Sequence, residues 1–195
     1  MRPTLLSVLP AFSLLPIFYC HAGNFNGPIM GVGAGYGYSR GDFNNTVFRG
    51  TSLTGKVFGG YGWVQNDLHW GIEIDAGYDN FSKTVKKFPP QKLSKGHFFE
   101  GSFRIGQVIR TNFLPFLRFG MGYEQYRFIS RDLEKKSFYA KTLLIGLGTD
   151  AIIHKDWSIR SEISHNWAFK VNSNTIPVGR KPFKTALTLS IIYHL

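Results

Sequence analysis

The sequence predicts an all-β chain, an eight-stranded antiparallel up-and-down transmembrane β-barrel. Three observations carry this reading. Apolar and small or polar residues alternate with period two through almost the whole chain after residue 24. The segments between the alternating runs are short at one end and long at the other. No apolar run beyond the first twenty-two residues is long enough to cross a bilayer as a helix. In 195 residues, 43% hydrophobic, 16% aromatic and 18% charged residues give enough apolar surface for a folded domain. A single cysteine excludes a disulfide framework and paired-Cys zinc sites.

The elements follow in order. Residues 1–22 read as a secretory signal: Arg2, an apolar stretch from Leu5 to Tyr19, then Cys20-His21-Ala22 with a small residue at the cut. Pro10 and Pro16 interrupt that stretch, which argues against an anchor, and Tyr19 before Cys20 argues against lipidation. The barrel domain is expected over residues 23–195. Its first strand sets Met30, Val32, Ala34, Tyr36 and Tyr38 on one face and Gly31, Gly33, Gly35 and Gly37 on the other. These glycines do not have the spacing of a dinucleotide fingerprint, and no helical pattern follows them.

The second strand runs from Leu53 to Trp63 and turns at Gln65-Asn66-Asp67, and the third carries Leu68, Trp70, Ile72, Ile74, Ala76 and Tyr78 outward. Strands led by Phe99, Phe113, Leu143, Trp157 and Phe183 repeat the pattern, with tight turns at Arg110-Thr111-Asn112 and His154-Lys155-Asp156. The long connections are expected near residues 41–49, 80–96, 127–137 and 170–182.

Orientation separates a membrane barrel from a soluble, lipocalin-like one. The smaller face is mostly Gly, Ser and Thr with sparse charges, which suits the cramped lumen of eight strands rather than a surface in water. Rings also sort by strand end: Trp63, Trp70, Phe113 and Trp157 near the short turns, and Tyr36, Tyr78, Phe99, Tyr123, Tyr139 and Trp167 toward the long connections. Two such belts match the two interfaces of a membrane.

A leader, eight alternating strands and a last strand ending in Tyr193-His194-Leu195 resemble the small bacterial outer-membrane barrels: the OmpA membrane domain, OmpX, Ail and the opacity-type surface antigens. The resemblance implies export to the bacterial outer membrane through a cleaved signal peptide. It also implies recognition of the last strand by the barrel assembly machinery. That family usually ends in an aromatic residue with another two positions before it; Tyr193 fits the second position and Leu195 departs from the first.

Two residue groups are candidates for function. Inward positions hold Lys56, Glu73, Asp75, Glu100, Arg104, Arg118, Asp150 and Arg160, which must pair if they are buried in a narrow lumen. Setting Trp63 opposite Leu68 predicts Lys56 opposite Asp75, and setting Ile153 opposite Trp157 predicts Asp150 opposite Arg160. Such a plug leaves no general solute pore.

The formal charge is +11, and it gathers: the four long connections and their flanks hold fifteen bases, Lys184 among them, against three acids, while the rest of the chain holds eight bases and nine acids. Lys83, Lys86, Lys87, Lys92, Lys95, Lys135, Lys136, Arg180 and Lys181 are the candidate rim for anionic ligands. Lipopolysaccharide phosphates, an anionic host glycan or a surface protein fit such a rim; nucleic acid does not suit the compartment.

No cofactor, metal or catalytic residue is expected. The enzymatic alternative is lipid A modification through the outward His165. Its same-face neighbours Ile163 and Trp167 supply no nucleophile. A narrow ion or solute channel is the other alternative.

Overall fold

A computed structural model describes residues 25–43, 45–85, 91–109, 112–130, 133–172 and 179–195, of which the side chains of 130, 133–135 and 172 are left aside. The leader predicted over 1–22 lies outside the described residues. Nine strands appear in chain order: β1 Gly27–Phe43, β2 Thr46–Gln65, β3 Leu68–Asp79, β4 Ser82–Val85, β5 Gln91–Gln107, β6 Phe113–Ser130, β7 Leu133–His154, β8 Trp157–Asn172 and β9 Phe183–His194.

Eight of them close a ring. Each long strand pairs antiparallel with its neighbours, β9 returns to β1, and β3 pairs β5 directly. The ninth, β4, is a four-residue strand hydrogen-bonded to the outer end of β5. The expected eight-stranded barrel is therefore present with one added strand, inside the segment read from sequence as the long connection 80–96. Two other expected long connections are also largely strand. Phe43 pairs Thr46 and Ser130 pairs Leu133, so 41–49 and 127–137 are ends of long hairpins. Low apolar content misled the sequence reading there, because strands that leave the membrane no longer need a lipid-facing apolar side.

The register fixes the shape. A row of paired residues leaves β2 at Arg49, passes Arg40, Phe183, Trp167, Leu143, Met121, Gly101 and Ile74, and returns to β2 at Gly59, a stagger of ten residues. With a rise of about 3.3 Å per residue and a strand spacing of about 4.8 Å, that stagger over eight strands implies a tilt of about 41° and a backbone radius of about 8 Å. Such a cylinder is filled by its own side chains.

The faces fall as the alternation requires. Ile72, Leu117 and Leu189 are on the outer wall, 53%, 44% and 58% exposed in the isolated chain, while Gly146 and the charged lumen residues are enclosed. Small residues on the lumen side allow close approach at Gly60, where a Cβ would stand 2.4 Å from the Ile72 carbonyl oxygen. The Asn66-Asp67 turn has positive φ at both residues, 50° and 61°. This is a two-residue hairpin of the kind that matches strand twist, formed by residue types that tolerate the left-handed region.

That turn also corrects the expected register. A two-residue loop pairs Gln65 with Leu68 and Trp63 with Trp70, so Lys56 stands opposite Gly77, two residues from the predicted alignment. At the β7–β8 turn, Asp150 does pair with Arg160. A bulge between Ile152 and His154 sets His154, rather than Ile153, opposite Trp157.

Leu189→Arg, near the middle of β9 on the lipid-facing wall, is expected to lower folding stability in lipid vesicles by about 2–4 kcal/mol. Denaturant titration followed by the gel mobility of the folded form measures this.

Candidate functional site: a filled lumen beneath a basic rim

The lumen is stacked in layers. At the short-turn end, Phe25, Ile29, Phe58, Leu114, Phe116 and Ile192 are all buried and form an apolar floor. Above it lies an ionic layer built from β2, β3, β5, β6, β7 and β8. Arg160 donates from Nη1 to both oxygens of Glu73, at 2.8 and 2.9 Å, and from Nε to Asp150 Oδ1 at 2.7 Å. Arg104 donates from Nη1 to Asp150 Oδ2 at 3.0 Å and places Nε 3.5 Å from Glu73.

Arg118 reaches both Glu162 oxygens at 3.2 Å, Ser102 Oγ at 2.9 Å, and Asp75 through Nη2. Lys56 Nζ lies 2.9 Å from Asp75 Oδ1 although the two are not directly opposite. They are diagonal neighbours across β2 and β3, within reach of a long side chain. Four cations thus meet four carboxylates.

Arginine suits this layer because a planar fork can bind two carboxylates and still stack on rings. The Arg160 guanidinium carbon lies 4.9 Å from the Phe58 centroid and 5.3 Å from that of Phe116, and Arg104 lies 5.2 Å from Phe116. The apolar floor therefore also holds the ionic layer.

Glu100 behaves differently from the other candidates. It is buried, accepts a hydrogen bond from Asn166 Nδ2, and has no ion-pair partner among the described residues. With Lys56, Arg118, Glu124, Glu162 and Lys184 it lines a cavity of about 40 Å³. A water needs roughly 10–15 Å³ of such space, so the cavity admits a few waters and no larger solute.

Above the cavity the expected rim requires correction. Lys95 is not a rim residue. It is 5% exposed, with Nζ 3.0 Å from Glu124 Oε2 and 5.3 Å from the Tyr126 ring centroid. β5 already begins at Gln91, and an irregularity between Lys95 and Phe98 leaves Lys95 on the enclosed side. Lys184, counted among the bases of the long connections, likewise turns inward, 2.6 Å from Asp79 Oδ2.

The mouth is closed by rings: Phe43, Phe48, Phe81, Tyr126, Phe128 and Phe138 form a buried cluster with Leu93, Ala140 and Ala168. Tyr126 stacks on Phe138 at 5.6 Å, and its hydroxyl donates to Glu124 at 2.7 Å. Sequence reasoning missed this plug, since most of its rings lie in segments read as loops. The one available signal was on β6, where Tyr126 and Phe128 continue the inward two-residue spacing set by Glu124.

Of the remaining rim candidates, Lys83, Lys92, Arg180 and Lys181 are exposed at the long-connection end, and Lys136 is half-buried on the inward face of β7. Lys86, Lys87 and the side chain of Lys135 lie outside the described residues.

On the outer wall, His165 Nδ1 is 2.8 Å from Thr185 Oγ1, a hydroxyl supplied by β9 that a search along β8 alone overlooks. The imidazole packs against Trp167 and Phe183 at 5.7 and 5.5 Å.

A polar, ion-paired lumen inside an apolar, ring-belted wall defines the class: a transmembrane β-barrel of the bacterial outer membrane. Residues 6–192 match the outer membrane protein beta-barrel domain, and the chain belongs to that family. No curated protein matches the sequence.

Among solved structures, Neisserial surface protein A is similar over 85% of this chain and 97% of its own, with 12% identity and a TM-score of 0.58. The attachment invasion locus protein Ail of Yersinia pestis is similar over 86% and 98%, with 14% identity and a TM-score of 0.54, both alone and in complex with the heparin analogue sucrose octasulfate. The outer membrane protein OprG of Pseudomonas aeruginosa is similar over 89% and 99%, with 15% identity and a TM-score of 0.54. At these identities the likeness is one of fold.

Arg160→Met is expected to cost about 3–5 kcal/mol of stability, because four buried carboxylates then face three cations. Glu73 and Asp150 each lose two hydrogen bonds and keep only their contacts with the remaining arginines. Lys83→Gln at the exposed rim is expected to change stability by less than about 0.5 kcal/mol. Parallel urea titrations in one lipid distinguish the two, and equal losses would contradict the layered lumen.

Proposed function

We propose that this chain is a non-conducting, non-catalytic surface protein of the outer membrane whose basic extracellular rim holds anionic groups at the cell surface. The ligand class is the phosphate of neighbouring lipopolysaccharide or a sulfated or otherwise anionic glycan. Contact of that kind would serve envelope integrity or adhesion. The carrying observation is the combination of a lumen filled from floor to mouth with exposed Lys83, Lys92, Arg180 and Lys181 at the end of the long connections. A filled lumen leaves the outer surface as the place where a ligand can bind, and clustered cations attract polyanions over the roughly 8 Å screening length of physiological salt.

Binding of a heparin analogue by Ail, a barrel of like fold, supports the choice of a sulfated glycan as probe. In this reading β9 with its outward Tyr193 is the strand engaged by the barrel assembly machinery. His165 has no catalytic role: among the described residues no carboxylate orients its imidazole, and its polar contact is the Thr185 hydroxyl.

The purified barrel is expected to bind immobilised heparin at low salt and to elute as salt rises. A variant with Lys83, Lys92, Arg180 and Lys181 all changed to Gln should elute earlier. Retention that ignores salt, or an unchanged variant, would refute the rim reading. Planar-bilayer recordings should show no large conductance steps. Lipid A from cells with and without the protein should have the same mass; a lost acyl chain would favour the enzymatic alternative.

A further inference from the structure

The outer wall is not uniform. On β5, Gly101 faces lipid, and a Cβ built there would meet nothing within 4 Å. Around this gap Phe103, Met121, Leu143, Ile145 and Trp167 wall an apolar groove of about 660 Å³ running across β5 to β8. The groove is shallow and open to the membrane, so it can take an acyl chain side-on without enclosing it.

One step toward the long connections, the Leu143–Trp167 pair gives way to Lys141 paired with Lys170, past an irregularity between Lys141 and Thr142. Lys141 Nζ sits 5.6 Å from the Tyr123 ring centroid, at the outer aromatic belt. Neither lysine has a carboxylate partner among the described residues, whereas the lumen lysines Lys56, Lys95 and Lys184 all do. A second wall groove, between Val32, Ala34, Ile159 and Leu189, has no such cations beside it.

We propose that Lys141, Lys170 and the groove over Gly101 seat one molecule of a phosphorylated, multiply acylated saccharolipid, the lipid A part of lipopolysaccharide. One phosphate lies between the two ammonium groups and an acyl chain lies in the groove. Charge selects this occupant. Two cations on neighbouring strands about 4.8 Å apart can converge on a phosphate monoester once the Lys141 side chain swings from the Tyr123 ring on β6 toward β8. Such a monoester carries close to two negative charges near neutral pH. A phospholipid diester offers one. A second copy of this barrel, docked face to face about a two-fold axis, would oppose like charges. This wall site is separate from the rim, so it does not depend on the rim reading.

The test is native mass spectrometry of the full chain released from detergent with bisphosphorylated hexa-acyl lipid A, the same lipid with its phosphates removed, or phosphatidylglycerol. All variants are first checked for folding by heat-dependent gel mobility. The unmodified protein is expected to keep one bisphosphorylated lipid A under activation that removes the other two lipids. K141Q/K170Q should weaken retention about tenfold, to the level of the dephosphorylated lipid, and K141R/K170R should restore it. Gly101→Leu, which fills the groove, should weaken both forms of lipid A. K83Q/K92Q, at the rim, should lower heparin retention and weaken lipid A retention by much less than K141Q/K170Q does. Equal retention of phosphatidylglycerol, or unchanged binding by K141Q/K170Q, would overturn the proposal. So would an equal loss in K83Q/K92Q.

Discussion

Closure with a ten-residue stagger sets the width of the cylinder, and that width governs the rest of the structure. At a radius of about 8 Å, inward side chains from opposite walls meet near the axis, so each must find a partner across the lumen as well as along the sheet. Arg118 on β6 meets Asp75 on β3 and Glu162 on β8; Arg160 on β8 meets Glu73 on β3. Where the lumen is not ionic it is filled with rings, at the floor by Phe58 and Phe116 and at the mouth by Phe43, Phe48 and Phe128.

Buried ion pairs of this kind need not add net stability, since desolvation offsets much of their attraction. Their value to this fold lies in specificity. Replacing them with apolar residues would leave β3, β5, β6 and β8 with little but small residues to set the lumen face apart from the lipid face. A strand slipped by one residue would then present lipid with much the same surface. Charges that are tolerable only when paired inside the lumen penalise that slip, and the small residues between them let the walls come close.

The membrane-spanning part was readable from residue pattern because lipid imposes it. Alternation at Met30–Tyr38, Leu68–Tyr78 and Leu187–Tyr193 reports directly which face meets hydrocarbon. Outside the membrane that constraint lapses, and there the reading failed: β4, the outer ends of β1, β6 and β7, and the inward turn of Lys95 all lie beyond the lipid-facing bands. Cross-strand relations were harder still. The Lys56–Asp75 pair survives a two-residue error in register only because a lysine is long enough to reach a diagonal neighbour. Thr185 beside His165 follows from strand adjacency that no local pattern contains.

The ring cluster at the mouth gives the protruding end a hydrophobic centre of its own, with hairpins that close at Phe43–Thr46 and Ser130–Leu133. Among the described residues, a projection built this way has a fixed relief. Its epitopes are therefore discontinuous, assembled from neighbouring hairpins. Antibodies raised against the heat-denatured chain would bind the folded barrel poorly, and those raised against the folded barrel would lose their target on heating.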